Sequence, residues 1–382
     1  MNFSRLFYRV SRPLITNAYS RILSSRILTR SELLDDPPAG HTLFLFGSDE
    51  RYKFDRPIHV GKLPDAIEAK LGKCTVPSPF VVEVKDATAI GPSALVTTNG
   101  RILLESVRGS YPRLADASVR ALLAGQIPLE TRFQSPDRQY VQPIFSLVGP
   151  WVTEYYHWIA DYLIRVFALE IYRERTGRDP LVLIPPNPPK WIVDSLSMVG
   201  IDIDRTIEWS GGIAHFSQLV IGSVRYHTAS EYDGYIHSPA AMARLGDRIR
   251  TAVSSSSTGT RRIYVSRADA ADRRILNESE LMSVLNKYGF ERIVPGSLSF
   301  EEQVQTFADA EIILGPHGAG LTNIIFADET TLVELFGSYQ NACFFTLAQG
   351  VGHEYVSVMC RSNGSDMVVD VDTIEAVVDD VV

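Results

Sequence analysis

The pattern of apolar and polar positions changes near residue 144. Before that point, apolar and polar residues alternate over 80–84, and two β-type runs at 94–98 and 101–105 flank Asn99 and Gly100. Asn-Gly between such runs is a strong signal of a β-hairpin. After residue 144, short apolar runs alternate with longer amphipathic segments, as in α/β proteins. The pattern therefore predicts an α/β chain with extra β-structure in its N-terminal part.

Apolar runs and capping residues divide the second part into two α/β series. The first series has predicted strands at 144–148, 181–184, 206–209 and 218–221 and helices at 154–172 and 190–198. A helix capped by Ser238 follows, running to about residue 253, and then a serine-rich loop at 254–260. The second series has predicted strands at 262–265, 292–294, 312–314 and 331–335, helices after Asn277 and Ser299, and a last helix led by a capping box of Asp372 and Glu375. Two Rossmann-like halves are expected.

A glycine-rich loop follows the strand at 312–314 and reads GPHGAGLTN over residues 315–323. Gly315, Gly318 and Gly320 lack a Cβ, so the backbone can turn sharply and approach a ligand closely. The helical pattern that follows would direct free N–H groups and a positive dipole end outward. The loop predicts a phosphate site in a C-terminal nucleotide fold, and a plain tight turn is the alternative.

The helix predicted from residue 154 carries one polar seam on an otherwise apolar surface. His157, Asp161 and Arg165 stand four residues apart, so they share a face. One interpretation is a buried seam whose hydrogen bonds fix helix packing. The other is a cleft wall where Asp161 or His157 takes a proton from an acceptor hydroxyl. As a zinc pair, His-x-x-x-Asp without further spaced ligands is a weak signal.

Cations also follow the strand at 262–265. Arg267 and Arg274 come just after its end, where open α/β sheets bind ligands, and they are suited to neutralising a diphosphate. Solvated loop arginines are the alternative. Glu334, near the end of the strand at 331–335, is a candidate for accepting hydrogen bonds from ribose hydroxyls.

Length and composition narrow the class of protein. The 382 residues suggest two domains, and a net charge of -8 argues against a nucleic-acid partner. Cys74, Cys343 and Cys360 form neither a metal-spaced cluster nor a disulfide framework, which favours a reducing compartment. No run of 18 apolar residues exists, so no membrane-spanning helix is expected.

The first 30 residues contain six arginines and no acidic residue. On a helical wheel, the apolar side chains of positions 3, 6, 7, 10 and 14 oppose the arginines at 5, 9 and 12. A membrane-surface anchor, a basic disordered tail and a transit peptide are all compatible with this pattern. We expect membrane-surface association, on the inner face of the cell membrane of an otherwise cytoplasmic protein, although Pro13 is predicted to end the helix early.

Several of these segments together resemble glycosyltransferase family 61, which includes plant β-1,2-xylosyltransferases, protein O-linked N-acetylglucosaminyltransferases and microbial capsular polysaccharide proteins. The matching segments are YYHWIAD (155–161), RIYVSR (262–267), RRILNE (273–278), LSFEEQ (298–303), GPHGAGLTN (315–323) and VEL (333–335). They span residues 150–336, whereas residues 1–140 match no family that we can name.

The resemblance implies a GT-B fold, with two Rossmann-like domains facing across a cleft, and inverting transfer from a nucleotide-sugar donor to a hydroxyl of a glycan, lipid-linked glycan or glycoprotein acceptor in surface polysaccharide or glycan synthesis. A UDP-sugar is the expected donor, and no metal or other cofactor is expected. The corresponding segments are a basic N-terminal segment at 1–40, an acceptor-side domain at 41–236 and a nucleotide-sugar domain at 237–382. In the long helix, the family often has proline before an arginine, where this chain has Ile164 before Arg165.

The resemblance also implies roles for individual residues. His157 is preferred over Asp161 as the base, because its ordinary pKa lies nearer neutral pH, and His317 is expected to donate to the leaving phosphate. Acceptor-side residues are expected to be Tyr156, Trp158 and Arg165. Nucleotide-sugar-binding residues are expected to be Arg267, Arg274, Asn277, Glu278, Gly315, His317, Gly318, Ala319, Gly320, Leu321, Asn323 and Glu334.

Three other functions fit the sequence less well. A non-catalytic, transferase-like subunit of a polysaccharide pathway is the main alternative. A nicotinamide-dependent oxidoreductase is disfavoured because the glycine loop lacks G-x-G-x-x-G with an acidic partner about 20 residues later. A serine hydrolase is disfavoured because no G-x-S-x-G occurs.

Overall fold

A computed structural model describes residues 3–109, 111–126, 137–224, 226–227, 236–253 and 259–382. The side chains at 3–10, 19, 111 and 226–227 lie outside the described part, as does most of the predicted serine-rich loop. Most of the predicted N-terminal apolar stripe, at positions 3, 6, 7 and 10, is therefore not described.

Strands are numbered in chain order. They are β1 (Ile27–Leu28), β2 (Thr42–Leu45), β3 (Glu50–Phe54), β4 (Ile58–Val60), β5 (Gly72–Val76), β6 (Phe80–Ile90), β7 (Leu95–Thr98), β8 (Arg101–Leu103), β9 (Arg138–Tyr140), β10 (Ile144–Ser146), β11 (Leu181–Ile184), β12 (Thr206–Glu208), β13 (Ile213–Gly222), β14 (Tyr226–His227), β15 (Ile236–His237), β16 (Arg261–Val265), β17 (Phe290–Ile293), β18 (Ala310–Pro316), β19 (Thr331–Phe336), β20 (Glu354–Met359), β21 (Arg361–Asn363) and β22 (Asp366–Val368).

Helices of the described residues are α1 (Phe3–Arg21), α2 (Arg30–Asp35), α3 (Asp65–Glu68), α4 (Tyr111–Leu123), α5 (Tyr155–His157), α6 (Val166–Thr176), α7 (Lys190–Met198), α8 (Pro239–Ala252), α9 (Glu278–Leu285), α10 (Phe300–Ala308), α11 (Cys343–Val351) and α12 (Val371–Val381). The mixed α/β class predicted from the sequence is confirmed. Among the described residues, no helix is long and apolar enough to cross a membrane.

The chain forms two compact units. Unit 1 comprises residues 1–49, 78–192 and 201–225, and unit 2 comprises residues 50–77, 193–200 and 226–382. Each unit contains one large sheet with its own apolar core. The peptide path therefore enters unit 2 three times.

The sheet of unit 1 joins an antiparallel part to a parallel part. Its main strand order is β1-β8-β7-β6-β13-β10-β11-β12. β13 pairs antiparallel with β6 and parallel with β10, and β10, β11 and β12 continue in parallel. The predicted hairpin is confirmed as β7 and β8, and both turn residues, Asn99 and Gly100, have positive φ.

Unit 2 contains a six-stranded parallel sheet in the order β17-β16-β18-β19-β20-β4. The first five strands follow a 2-1-3-4-5 arrangement, which is that of doubly wound nucleotide-binding folds. Strand β4 joins the edge from a distant part of the sequence and pairs parallel with β20. The predicted second α/β series is therefore present as one sheet.

Two of the predicted helix caps are confirmed and two are wrong. Ser238 caps α8, and Ser299 forms a full capping box with Glu302 at α10. Asn277 precedes α9 but makes no capping bond, because its side chain bonds to the main chain of Val369. α12 begins at Val371 after Asp370, so the predicted box at 372–375 lies inside the helix.

Two helical segments differ from their predictions. α1 continues through Pro13 as far as Arg21. It packs against α4, where the Nε atom of Arg12 lies 2.5 Å from a carboxylate oxygen of buried Asp116, and this packing outweighs the local cost of proline. The segment predicted as one helix from 154 to 172 is α5, a π-helical turn at Trp158–Tyr162, a 3₁₀ turn at Leu163–Arg165, and α6.

Candidate functional site

The carboxyl ends of β16 and β18 form the point in unit 2 where the strand order reverses. The sheet extends from β16 to β17 on one side and through β18 to β19 on the other. Doubly wound sheets bind ligands in the crevice at this point. A pocket of about 210 Å³ lies there, lined by Val265, Ser266, Arg267, Asp269, Ala270, Pro295, Gly296, Pro316, Gly318 and Gly320.

The three loop glycines are required for close packing of the protein on itself. None of them has a left-handed φ, and the chain bends at residues 317–318. A Cβ on Gly318 would lie 2.1 Å from Nη1 of Arg267, and one on Gly315 would lie 2.9 Å from the carbonyl oxygen of Val265. A Cβ on Gly320 would lie 3.1 Å from Cγ of Pro295. The glycines thus let Arg267 and the neighbouring chain contact the loop.

Two arginines share one carboxylate beside this loop. Nη2 of Arg267 lies 3.0 Å and Nε of Arg273 3.2 Å from Oδ1 of Asp272. Burial, and then the nearby Arg273 guanidinium, lower the pKa of Arg267 below its ordinary value. We call Arg267, Arg273 and Asp272 the arginine cluster. Arg267 and Asp269 both line the pocket, so the two guanidinium groups are opposed by two carboxylates, Asp272 and Asp269. What suits a phosphate is the fork geometry of the two guanidinium groups.

Other polar side chains that were predicted to bind the nucleotide form hydrogen bonds within the protein instead. Arg274 donates through Nε and Nη2 to Asp366, and it does not line the pocket. Glu278 accepts from Ser266 through one carboxylate oxygen and from Arg292 through the other. With Asn277 bonded to the main chain at Val369, these side chains fix the loops around the arginine cluster.

The helical pattern predicted after the loop glycines is a 3₁₀ segment at Ala319–Phe326. Ala319 is exposed, whereas Leu321 and Asn323 are completely buried. The amide nitrogen of Asn323 donates to Gln303 of α10 at 2.9 Å. Leu321 and Asn323 therefore belong to the core beneath the loop.

His317 lies under the loop in a buried polar chain. Its Nδ1 is 2.5 Å from Oε1 of Glu334, and the hydroxyl of Tyr355 donates to Oε2 of Glu334 at 2.5 Å. Glu334 is completely buried, and both of its carboxylate oxygens are hydrogen-bonded within the protein. It therefore does not face a ribose, contrary to the prediction from the sequence. Burial, reinforced by Glu334, raises the pKa of Tyr355 well above its ordinary value, so Tyr355 is a neutral donor.

Unit 1 contains a second cluster around the π-helical turn. Nδ1 of His157 lies 2.8 Å from Oδ2 of Asp161, and Nη2 of Arg108 lies 2.9 Å from Oδ1 of Asp161. Asp161 and Arg108 are almost completely buried, whereas the side chain of His157 is 24% exposed. We call these three residues the His157 cluster. Interruption of a helix by a π turn is frequent at functional sites.

The protonation of His157 follows from these contacts. Burial is the main cause that lowers the pKa of His157, and Arg108 and Arg113 lower it further, against the opposing effect of Asp161. A neutral ring donates Nδ1–H to the Asp161 carboxylate at 2.8 Å, because an ionised carboxylate can only accept hydrogen bonds. Nε2 is then the basic nitrogen of the ring.

In the predicted polar seam of His157, Asp161 and Arg165, only the first two side chains bond to each other. His157 and Asp161 bond as expected, but Arg165 donates from Nε to the main-chain oxygen of Asp161. Arg165 is 1% exposed and Trp158 is completely buried, so neither presents its side chain to an acceptor in this structure. Tyr156 is partly exposed, with its ring 5.5 Å from that of His157.

An aromatic and cationic stack holds the outer side of His157. The Trp151 ring stacks on the His157 ring at 5.4 Å, and the Arg113 guanidinium lies 3.7 Å from the Trp151 ring centre. Trp151 has a positive φ of 60°, an uncommon conformation for a large side chain. Such strain is retained where the surrounding structure fixes it, often at functional sites.

Sequence reasoning did not identify Arg108, Trp151, Arg273 or Tyr355. Arg108 and Trp151 lie outside the recognisable segments, and no local pattern distinguishes Arg108 from the other arginines. Arg273 is adjacent to the predicted Arg274, so only the backbone conformation decides which one reaches Asp272. Among the described residues, no group of three metal-ligating side chains is present.

Comparison with known proteins finds a family that matches the part of the chain containing both clusters except Arg108. Residues 155–333 match the family described as glycosyltransferase 61. Three similar proteins are each named EGF domain-specific O-linked N-acetylglucosamine transferase. The one from Drosophila melanogaster is 33% identical over 87 residues, that from Mus musculus 34% over 91 and that from Gallus gallus 31% over 91. Each alignment covers 22% of this chain and 17% of the relative.

Proposed function

Because residues 155–333 belong to glycosyltransferase family 61, we propose that this chain is an inverting glycosyltransferase. It transfers a sugar from a nucleoside diphosphate to a hydroxyl group of a glycan or glycoconjugate, in surface polysaccharide or glycoprotein glycan synthesis. The arginine cluster at the strand-order reversal of unit 2 is the observation that carries the proposal. A diphosphate has the charge and shape that two guanidinium groups bind.

The proposed donor site is in unit 2. Arg267 and Arg273 would bind the diphosphate, and main-chain N–H groups of the glycine loop would contribute at the pocket. Charge that develops on the departing diphosphate is then stabilised by arginines, so the proposal requires no bound metal or other cofactor. A UDP-sugar is the first donor to test, and the N-acetylglucosamine transferase names of the relatives favour UDP-N-acetylglucosamine.

The proposed acceptor base is His157 in unit 1. Its neutral Nε2 would remove the proton of the acceptor hydroxyl while the acceptor oxygen bonds to the anomeric carbon. The bond from that carbon to the diphosphate breaks at the same time, and its electron pair leaves with the diphosphate. Asp161 bonds Nδ1–H and stabilises the imidazolium that forms. The proposed architecture is GT-B, with unit 1 for the acceptor and unit 2 for the donor.

Turnover of nucleotide sugars tests this function. UDP-, GDP- and CMP-sugars are screened by thermal shift, and release of free nucleotide is measured for each donor that raises the melting temperature. We expect His157→Ala and His317→Ala to reduce turnover at least about 100-fold. His215→Ala is the control, because this partly exposed histidine pairs only weakly with exposed Asp86 at 3.9 Å. Wild-type turnover in both site variants would reject the assignment, and donor binding without turnover would favour a non-catalytic subunit.

We also propose that α1 associates with a membrane surface. Leu14 of α1 and Ile22, the residue directly after it, are 66% and 75% exposed, and residues 1–30 are rich in arginine. Flotation with anionic liposomes measures this association. Leu14→Ser with Ile22→Ser should weaken flotation, whereas Leu122→Ser, at a 40% exposed position of α4, should not. Equal flotation of the protein without residues 1–30 would contradict the proposal.

A further inference from the structure

The side chain of His317 is enclosed by aromatic rings and one carboxylate. Ring centres of Phe336, Tyr339 and Phe344 lie 5.7, 5.3 and 5.0 Å from that of His317. Within the described residues the ring makes a hydrogen bond through Nδ1 only, to Glu334. The opposite ring nitrogen, Nε2, takes no part in that bond. This nitrogen is the one available to a ligand.

An ionised Glu334 needs a compensating positive charge. It is completely buried on β19, where an uncompensated carboxylate is very costly. Its two oxygens contact Tyr355, a neutral hydroxyl, and His317. The imidazole is therefore the only one of these two partners that can become a cation and neutralise the carboxylate.

Tyr355 fixes the carboxylate from the opposite side. It lies on β20, next to β19, and its ring packs edge-on against Phe345 of α11 at 5.3 Å. Because the hydroxyl donates to Oε2, Oε1 is held toward His317. The three side chains therefore form one oriented chain from Tyr355 through Glu334 to His317.

We propose that Glu334 and Tyr355 are positioning residues that hold His317 as an imidazolium and present its Nε2–H to the anionic leaving diphosphate. The charge state of His317 is inferred from its buried hydrogen bond to Glu334, whereas the identity of the anion rests on the proposed function. His317 supplies a hydrogen bond and positive charge to the leaving oxygen, and no bond within the imidazole needs to break. Its role is thus distinct from that of His157, which accepts a proton.

The surroundings of His317 connect it to the arginine cluster. The Tyr339 ring, 50% exposed, lies 5.3 Å from the His317 ring, and the Arg273 guanidinium lies 5.0 Å from the ring centre of Tyr339. An anion bound by Arg273 would therefore lie beside Tyr339, in the neighbourhood of His317. Neutralisation by Glu334 permits an imidazolium to coexist with these nearby cations.

Nitrogen NMR of the histidine-labelled full chain tests the charge state without any turnover. With the His317 signals assigned by His317→Gln, we expect both ring nitrogens to carry protons at neutral pH. Glu334→Gln should convert the ring to its neutral form, and Tyr355→Phe should shift the Nδ1–H signal. A neutral His317 in the wild-type chain, or an unchanged imidazolium in Glu334→Gln, would overturn the proposal.

Tyr172→Phe is the matched control for Tyr355→Phe. Tyr172 is also completely buried and donates to a buried glutamate, Glu83, at 2.5 Å, but it lies in unit 1. The Tyr172→Phe variant should leave the His317 signals unchanged. A shift of these signals in Tyr355→Phe then reports the local contact rather than a general loss of stability. Equal His317 shifts in both variants would count against the positioning role of Tyr355. If Glu334→Gln does not fold, Tyr355→Phe still decides whether this contact acts on His317.

Binding of inorganic pyrophosphate separates this inference from the proposed function. We expect Glu334→Gln to weaken pyrophosphate binding about tenfold, as loss of one charge-assisted hydrogen bond does. Unchanged affinity in a variant whose His317 has become neutral would overturn the role of His317 toward the anion. An imidazolium in a wild-type chain that does not bind pyrophosphate would instead reject the proposed anion site and leave the charge state established.

Discussion

The guanidinium of Arg108 lies 2.9 Å from the carboxylate of Asp161, and both side chains are almost fully buried. A buried charge requires its partner, because neither group can be solvated when the other is removed. Arg108 is thus the structural support of the carboxylate that orients His157.

Removing Arg108 should strongly destabilise the chain. We expect Arg108→Met to lower the free energy of unfolding by about 3–5 kcal/mol, since Asp161 is left as an uncompensated buried charge. Arg205→Met is the control, because Arg205 pairs with Asp179 at the surface, with side chains 45% and 56% exposed, and should cost at most about 1 kcal/mol. Urea unfolding measures both. Equal losses of unfolding free energy in the two variants would show that the buried pair contributes no more to stability than the surface pair.

The lowered pKa of His157 predicts an acid-sensitive chain. Below the ordinary histidine pKa of 6.5, the unfolded chain binds a proton at this position before the folded chain does. Stability should therefore fall as the pH decreases from 6.5 toward the folded pKa, and turnover should fall as His157 itself becomes protonated. Comparing unfolding of wild type and His157→Gln across this range isolates the contribution. Stability that rises on acidification by the same comparison would contradict the sign.

Adjacent arginines should behave differently in anion binding. Arg273 shares the carboxylate of Asp272 with Arg267, which lines the pocket, whereas Arg274 is bonded to Asp366. We expect Arg273→Met to weaken pyrophosphate binding about tenfold or more, and Arg274→Met to leave it nearly unchanged. Titration calorimetry at one fixed ionic strength measures both, because phosphate affinity depends on salt. The opposite order would restore Arg274 as the ligand.

The loop glycines should separate binding from stability. A Cβ at Gly318 meets only the flexible end of Arg267, so Gly318→Ala should displace that guanidinium and weaken pyrophosphate binding at small cost in stability. A Cβ at Gly315 meets the main-chain oxygen of Val265, so Gly315→Ala should destabilise the chain by about 1–3 kcal/mol. Thermal unfolding and pyrophosphate titration of the two variants check this contrast. Similar behaviour of the two would contradict it.

The sequence predicted elements well where the signal is local. The Asn99–Gly100 hairpin and the Ser299 capping box depend on residues a few positions apart, and both are present. Pro13 failed as a helix terminator because the packing of α1 against α4 decides the outcome. The cap predicted at Asn277 failed because its side chain bonds to Val369, far along the chain.

The candidate site was predictable only in outline. Residue spacing and resemblance indicated His157, Asp161 and Arg267, and the structure gives them polar contacts in two clusters. Their partners were not predictable, because Arg108 approaches Asp161 through the tertiary fold. Spacing also assumes a regular helix, and the π-helical turn breaks that assumption before Arg165.

Strand β4 has a consequence for the synthesis of the protein. Next to it, the main-chain N–H of Asp55 bonds to Gln349, which lies 294 residues later. At typical rates of translation, β20 is synthesised on the order of tens of seconds after β4. Strand β4 cannot pair with the sheet of unit 2 before then. During that interval Phe54, which is buried in the folded chain and packs against Phe345, lacks this partner. The nascent chain should therefore depend on chaperones, and a C-terminal half expressed alone would lack an edge strand.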